Sequence, residues 1–443
     1  MLLQLLNNNI YNGYNMKRFL LPLLPSLLLC SSWVAAAPVE QLAADVEKDV
    51  IQWRRHFHQH AELSNREFKT AKYVSEYLRS LGLQVQTGIA KTGVVAVLDS
   101  GKPGPTVALR ADMDGLPVVE SVDLPFASKV KATYGGKEVG VMHACGHDTH
   151  MAMLMGAAKV LVESKDRLRG KVKFIFQPAD EGAPVGERGG AEVMVEEGVM
   201  KGVDVVFGLH ISSKEDVNTV GYRSGGIMAA VDPWKIVVKG KQAHGAYPWS
   251  SVDPVVTSAQ IVMGLQTIVS RELKLLTNAA VVTVGSINGG NRTNIIPNEV
   301  EMTGTVRSLD PGMRKHILEA IRRKATSIAE SMNAEVEISL PWGQSYPVTY
   351  NDPTLMDEMM PSLVTSAGAD NVRLQKAQTG AEDFSFFQKE VPGLFLFVGG
   401  KPLSLPADQA PEHHTPEFAI DEEGLKLGVK LFSNLTLDYM QKQ

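Results

Sequence analysis

Short apolar runs alternating with helical stretches put this chain in the α/β class. The expected architecture is a mostly parallel sheet flanked by helices, carrying an inserted ferredoxin-like unit. Two observations predict it. Residues 94–98, 106–109, 171–176 and 203–209 are strand-length apolar runs, and helical stretches separate several of them. Between residues 225 and 340 the order becomes strand, helix, strand, strand, helix, strand, the βαββαβ pattern. At 443 residues the chain is long enough for two or three domains, and 44% hydrophobic with 21% charged content is ordinary for a globular protein. A formal net charge of −5 gives no basic footprint for a nucleic-acid partner.

Taken in order, the chain opens on an Asn-rich extension and then an export signal. Lys17 and Arg18 precede an apolar core, and Val34-Ala35-Ala36-Ala37 offers small residues for cleavage after Ala36. The core is too short, and too broken by Pro22 and Pro25, to span a membrane. Residues 1–36 are therefore expected to be removed and the mature protein to be periplasmic or secreted. Cleavage removes Cys30, so Cys145 is left as the sole thiol and no intrachain disulfide can form.

The mature chain begins with a helix, where Leu42, Val46, Val50, Trp53 and Phe57 recur at helical spacing. Ser64-Asn65-Arg66-Glu67 reads as a capping box that starts a second helix, which Gly82 ends. His56, His58 and His60 are spread around the first helix and read as surface or packing groups. The strand runs follow, and three of them lead into ionisable residues: Asp112, the Asp180/Glu181 pair and His210. Open parallel sheets bind ligands beyond the carboxyl ends of their strands, so these groups are expected to converge.

The richest stretch is His143-Ala144-Cys145-Gly146-His147-Asp148-Thr149-His150. It reads as a turn opening a helix near Asp148 or Thr149, both good N-cap types. Thiolate and imidazole together suit zinc and similar borderline metals. Candidate ligands are Cys145, His147, Glu181, His210 and one of His413/His414. Five donors exceed what one tetrahedral ion needs and fit two ions sharing a bridging group, an arrangement suited to hydrolysis. Within Asp180-Glu181, one residue as ligand and the other as general base is the natural division.

The inserted unit is read as strand 233–239, helix 254–273, strands 280–287 and 299–307, helix 311–332 and strand 334–340. The domain division is then 39–224 and 341–443 around an insertion at 225–340. The first domain resumes with Thr379-Gly380-Ala381-Glu382-Asp383-Phe384, a strand at 393–398, and a closing helix from 422 to about 439.

Over residues 42–437 the chain resembles the M20 metallopeptidase and amidohydrolase family, in the branch of aminoacylases, hippurate hydrolases and indole-acetyl-amino-acid hydrolases. The motifs are Leu109-Arg110-Ala111-Asp112-Met113-Asp114-Gly115-Leu116-Pro117, the run from Met142 to Asp148, Phe176-Gln177-Pro178-Ala179-Asp180-Glu181 and Gly208-Leu209-His210. To these add Ala243-His244, Asn294-Ile295-Ile296-Pro297, Gly304-Thr305-Val306-Arg307 and His414-Thr415-Pro416. The resemblance implies a di-metal catalytic domain with an inserted lid or dimerisation domain, acting as a homodimer on N-acyl amino acids or short peptides. It implies two divalent ions (Zn, Mn, Co or Ni) bridged by Cys145 and completed by His147, Glu181, His210 and His414. Asp112 would orient a ligand histidine, and Asp180 would be the general base. His244 would stabilise the oxyanion, often in the partner's site, while Asn294 and Arg307 would bind substrate. The family's usual Glu-Glu pair is Asp180-Glu181 here, so the base is one methylene shorter. A metallocarboxypeptidase and a catalytically impaired binding protein are the alternatives.

Overall fold

The computed structural model describes residues 37–276 and 278–442. The expected export signal lies outside them. The main sheet has eight strands in the order Gln84–Ile89, Gly93–Asp99, Lys171–Gln177, Thr106–Asp112, Val205–Asp216, Gly393–Lys401, Val220–Tyr222 and Val372–Leu374. Four of its seven pairings are parallel. The central strands are covered on both faces, which is why they read as unbroken apolar runs rather than alternating ones.

Helices Val39–Gln59, His147–Glu163 and Leu425–Lys442 share one core with one face of the sheet, through residues such as Val50, Leu154 and Phe432. The other face packs Met194, Phe384, Phe387 and Phe395. The helix from His147 is buried on nearly every side, so its sequence is apolar all round apart from the first turn.

Three local readings change. The second helix runs Phe68–Ser80, and Ser64 does not cap it. The Ser64 hydroxyl donates instead to Asp114 Oδ2 at 2.6 Å. Glu62 takes over the cap, accepting from the backbone N–H groups of Lys69 and Thr70 at 2.9 Å each. The metal-motif helix begins at His147, one residue earlier than expected, because Gly146 makes the turn with φ +92°. Finally, the strand expected over 203–209 is Val205–Asp216, which places His210 inside a strand rather than past its end.

The second sheet has the order Ala280–Asn288, Glu299–Ser308, Ala230–Lys239, Glu335–Ser339 and is antiparallel. With helices Pro254–Thr267 and Pro311–Ser331 it follows the βαββαβ order and encloses its own core around Trp234, Ile261 and Ile321. Asp253 and Asp310 cap the two helices ahead of a proline at the first helical position. The first helix stops being α-helical at Thr267 and finishes as a wider π turn over Ile268–Glu272. The chain enters and leaves this unit side by side: Gly225–Met228 pairs with Thr349–Asn351, and Val231 bridges to Tyr346.

Gly146 yields a stability prediction. A Cβ there would stand 2.2 Å from Ile211 Cγ2, at a backbone angle that L side chains rarely adopt. Gly146→Ala is expected to cost about 2–3 kcal/mol by chemical denaturation. Gly136→Ala has φ +78° but open space around it, so it should cost only about 1 kcal/mol. Equal losses would show that Ile211 gives way and that the contact sets nothing.

Candidate metal centre

Five of the nominated residues meet at the carboxyl end of the main sheet. Cys145 Sγ lies 3.4 Å from His210 Nε2 and 3.3 Å from His414 Nε2. Glu181 Oε1 is 3.1 Å from His414 Nε2 and 3.6 Å from His147 Nε2. Donor atoms of Cys145, His147 and His210 all lie within 4.8 Å of one another, as do those of Cys145, Glu181 and His414. Cys145 therefore belongs to both triads. His414 reaches its place with φ +65°, a strained backbone at a residue that points into the site. Its neighbour His413 turns inward, accepts from Ser213 N at 3.3 Å and packs on Phe418. Both line the cavity, and it is His414 that brings a ring nitrogen to Cys145 Sγ and Glu181 Oε1.

Each imidazole is aimed by a partner on its other nitrogen. His210 Nδ1 donates to the carbonyl of Ile211 at 2.6 Å, and a carbonyl can only accept, so the Nε2 lone pair is the one facing Cys145. His147 Nδ1 lies 3.2 Å from Asp114 Oδ1, which leaves Nε2 toward Asp180 and Glu181. Asp114 also accepts from the backbone N–H groups of Asp180 and Glu181, so one carboxylate holds the His147 imidazole and the Asp180-Glu181 loop together. The residue nominated to orient a ligand histidine was Asp112. The structure gives the nearer contact to Asp114, and binds Asp112 to His150 Nδ1 at 2.6 Å. His150 in turn accepts from Ile211 N and so steadies the strand carrying His210. His143 forms none of these contacts; it is buried, and burial lowers its pKa to about 4.

The centre rests on a buried cation that sequence reasoning passed over. Arg110 is fully buried. Its guanidinium lies 2.7 Å from Asp112, 2.8 Å from Asp180, 2.9 Å from Glu382 and 3.0 Å from Asp383, and donates to Gln177 Oε1. Burial pushes the Asp180 carboxyl up, but Arg110 overrides it and holds Asp180 below the usual carboxylate range. Asp180 is thus an ionised carboxylate on a fixed cation rather than a free side chain. The available signal was an arginine inside an otherwise apolar strand run, a position that burial tolerates only with anionic partners. His58 was also underrated. It is buried between Asp148 and Glu120, at 2.9 and 3.1 Å, with Arg54 on the same Asp148.

The remaining nominated residues stay apart from this cluster. His244 is exposed on a two-stranded ribbon, Ala243–His244 with Ile295–Ile296, beside Asn294. His244 Nδ1 accepts from Ala246 N at 3.0 Å, so Nε2 carries the proton and is free to donate. Arg307 donates to the carbonyl of Thr379 at 3.4 Å. Thr379 stands between Gln378 and Gly380, which line a cavity of about 510 Å³ together with Cys145, Asp180, Glu181, His210 and His414.

The donor set fits divalent cations. Among the described residues, His147 Nε2 is buried with no hydrogen-bond partner, and such orphans are rare without a ligand. Burial and then the charge of Glu181 push the Cys145 thiol well above its ordinary value, so only a cation in contact would favour the thiolate. Residues 108–438 match the model of peptidase family M20/M25/M40. The chain is 42% identical to thermostable carboxypeptidase 2 of Saccharolobus solfataricus, over 91% of this chain and 99% of that one. It is 39% identical to an N-acetyl-L-cysteine deacetylase of Bacillus subtilis, over 86% of this chain and 85% of that one. The crystal structure of a Bacillus subtilis protein described as a dinuclear metal-binding M20 peptidase superposes with TM-score 0.73 at 33% identity, over 90% and 100% of the two chains. This chain belongs to peptidase family M20/M25/M40, a family of metal-dependent peptidases and amidohydrolases.

Two substitutions separate support from ligation. Arg110→Met leaves several buried carboxyls without their cation and should cost about 3–5 kcal/mol, read from the urea midpoint. Cys145→Ser should keep the fold and lose most bound metal by elemental analysis, because an alcohol is a far weaker ligand than a thiolate. Parent-like metal content in Cys145→Ser would remove Cys145 from the centre.

Proposed function

We propose that this protein is an exported homodimeric hydrolase that cleaves the amide bond of N-acyl amino acids, using two divalent ions of the Zn, Mn, Co or Ni type. Cys145 would bridge the pair, with His147, Glu181, His210 and His414 completing it. The observation that supports this reading is the position of Cys145 Sγ between His210 Nε2 at 3.4 Å and His414 Nε2 at 3.3 Å, one in each of two donor groups. When bound, such ions supply Lewis acidity, acidifying water and polarising a carbonyl.

The chain's own residues supply the rest. Asp180, ionised on Arg110, accepts the proton of the attacking water and passes it to the leaving nitrogen. Its side chain ends one methylene short of a glutamate, and Arg110 fixes where that end lies. Asp114 keeps the Asp180-Glu181 backbone in place through that transfer. Arg307, beside the cavity wall at Thr379, suits a free substrate carboxylate through a bidentate pair.

His244 and Asn294 are assigned the oxyanion and substrate contacts across a dimer. Exposed Trp249, Val255, Val256 and Met263 on the same unit support such an interface. Residues 225–340 would then serve as the lid and dimerisation domain. The carboxypeptidase names among the relatives favour a second reading, a metallocarboxypeptidase on short peptides, which differs only on the acyl side.

Hippurate, acetylated amino acids and dipeptides, each assayed with manganese, zinc or cobalt, distinguish these readings. Asp180→Ala should lower kcat by about 10²–10⁴-fold with metal content retained, and Asp180→Glu should be active. A parent inert on the whole panel beside an active Asp180→Glu would make the natural protein a binding module. His244→Ala should be slow, and mixing it with Asp180→Ala should restore activity if subunits share sites. No rescue after demonstrated subunit exchange would place His244 outside the partner's site.

A further inference from the structure

The peptide joining Asp180 to Glu181 is held from both sides. Its N–H, on Glu181, donates to Asp114 Oδ2 at 3.1 Å. Its carbonyl, on Asp180, accepts from the Tyr346 hydroxyl at 3.2 Å. The orientation of that one peptide plane sets the directions in which both side chains leave the backbone. The segment around it does not hold itself. Ala179 has φ +50° and Gly182 φ +99°, and an alanine in that region stays there only where its surroundings fix it.

Tyr346 follows the inserted unit in sequence but stays attached to its sheet. The preceding Ser345 donates to Asp232 Oδ1 at 2.6 Å, and Arg314 donates to both oxygens of the same carboxylate at 2.7 and 2.8 Å. Asp232 is fully buried and Arg314 stands on the helix Pro311–Ser331, so this fork fixes the returning chain to the insert. The Tyr346 backbone exchanges two hydrogen bonds with Val231, at 3.0 Å each. On its other side Val231 is paired with Arg307. Tyr346, Val231 and Arg307 therefore stand on one rung of the insert's sheet. One end of the rung reaches the Asp180 carbonyl and the other reaches Thr379 at the cavity wall.

The hydroxyl is committed as a donor. Gln344 Nε2 donates to it at 2.6 Å, which leaves its own proton for Asp180. Burial and then the Asp383 carboxyl push Tyr346 well above the ordinary phenol range, so it keeps that proton.

We infer that Tyr346 is a positioning residue: it makes the aim of Asp180 depend on where the insert carries Arg307. This rests on the amidase reading above, in which Arg307 holds the substrate carboxylate, and deepens it. A carboxylate seated on Arg307 acts on one end of the rung, and the hydrogen bond that sets the base is at the other.

The test uses metal-loaded parent, Tyr346→Phe, Arg307→Met and the double variant, with Tyr350→Phe as control. Tyr350 lies on the same returning segment, but its ring stands near Gly225. Tyr346→Phe keeps the ring beside Phe386 and removes only the hydroxyl. On the best substrate of the panel its kcat should fall about three- to tenfold, the scale of one hydrogen bond, with KM within about twofold of the parent and metal content unchanged. In the Arg307→Met background the same substitution should cost less than about twofold, because two residues acting through one rung are not additive. Tyr350→Phe should match the parent. Hydrogen exchange at the Asp180 and Glu181 amides reads the hold without turnover, and should quicken about three- to tenfold in Tyr346→Phe. Parent-like exchange in Tyr346→Phe overturns the inference, as does a loss confined to KM. Equal losses of kcat in both Arg307 backgrounds overturn the dependence on Arg307. A parent inert on every substrate overturns the amidase reading instead; quicker exchange in Tyr346→Phe then still supports the positioning role, and parent-like exchange overturns it too.

Discussion

Everything at this centre depends on one buried guanidinium. Arg110 gathers Asp112 from its own strand, Asp180 from the loop after the neighbouring strand, and Glu382 and Asp383 from the returning part of the chain. A single positive charge cannot neutralise four carboxyls. Burial pushes Glu382 and Asp383 well above the carboxylate range, whereas Arg110 overrides the burial of Asp180 and keeps it ionised. The outcome is an anionic floor with a defined distribution of charge, beneath a ring of nitrogen, sulfur and oxygen donors. That field attracts divalent cations before any specific ligand is counted.

Above this floor, orientation matters more than proximity. An imidazole ligates through one nitrogen only if the other is committed elsewhere. Asp114 commits His147, and the Ile211 carbonyl commits His210. His150 ties Asp112 to the Ile211 backbone, so the two sides of the centre are linked through one strand. Asp114 serves three further donors: the Ser64 hydroxyl and the backbone N–H groups of Asp180 and Glu181. A carboxylate with that many fixed partners transmits any local distortion to His147 and to the Asp180-Glu181 backbone alike.

The second unit reaches the cavity wall through Arg307, which donates to the carbonyl of Thr379. It presents His244 with its donor nitrogen free, on a short exposed ribbon. Within its own unit His244 pairs with Ile295, accepts from Ala246 N and packs on Tyr247, outside the core around Trp234.

The sequence by itself determined the α/β class and the βαββαβ order, and it nominated Cys145, His147, Glu181 and His210 as donors that the fold brings together. Strand and helix periodicities are local, and thiol-imidazole spacing within a turn is local too. Through the family motifs it also nominated His414 as a fifth donor and Asp180 as a base one methylene shorter than the family's usual glutamate. Only the tertiary structure shows the positive-φ backbone that carries His414 to Cys145 and Glu181. Only it replaced Ser64 by Glu62 as helix cap, since Ser64 is claimed by Asp114 from fifty positions away. Arg110, Asp114, Glu382 and Asp383 stand in motifs that were read, but their roles come from pairings across distant segments. A buried charge in a sequence says that partners exist, and only the folded chain says which they are.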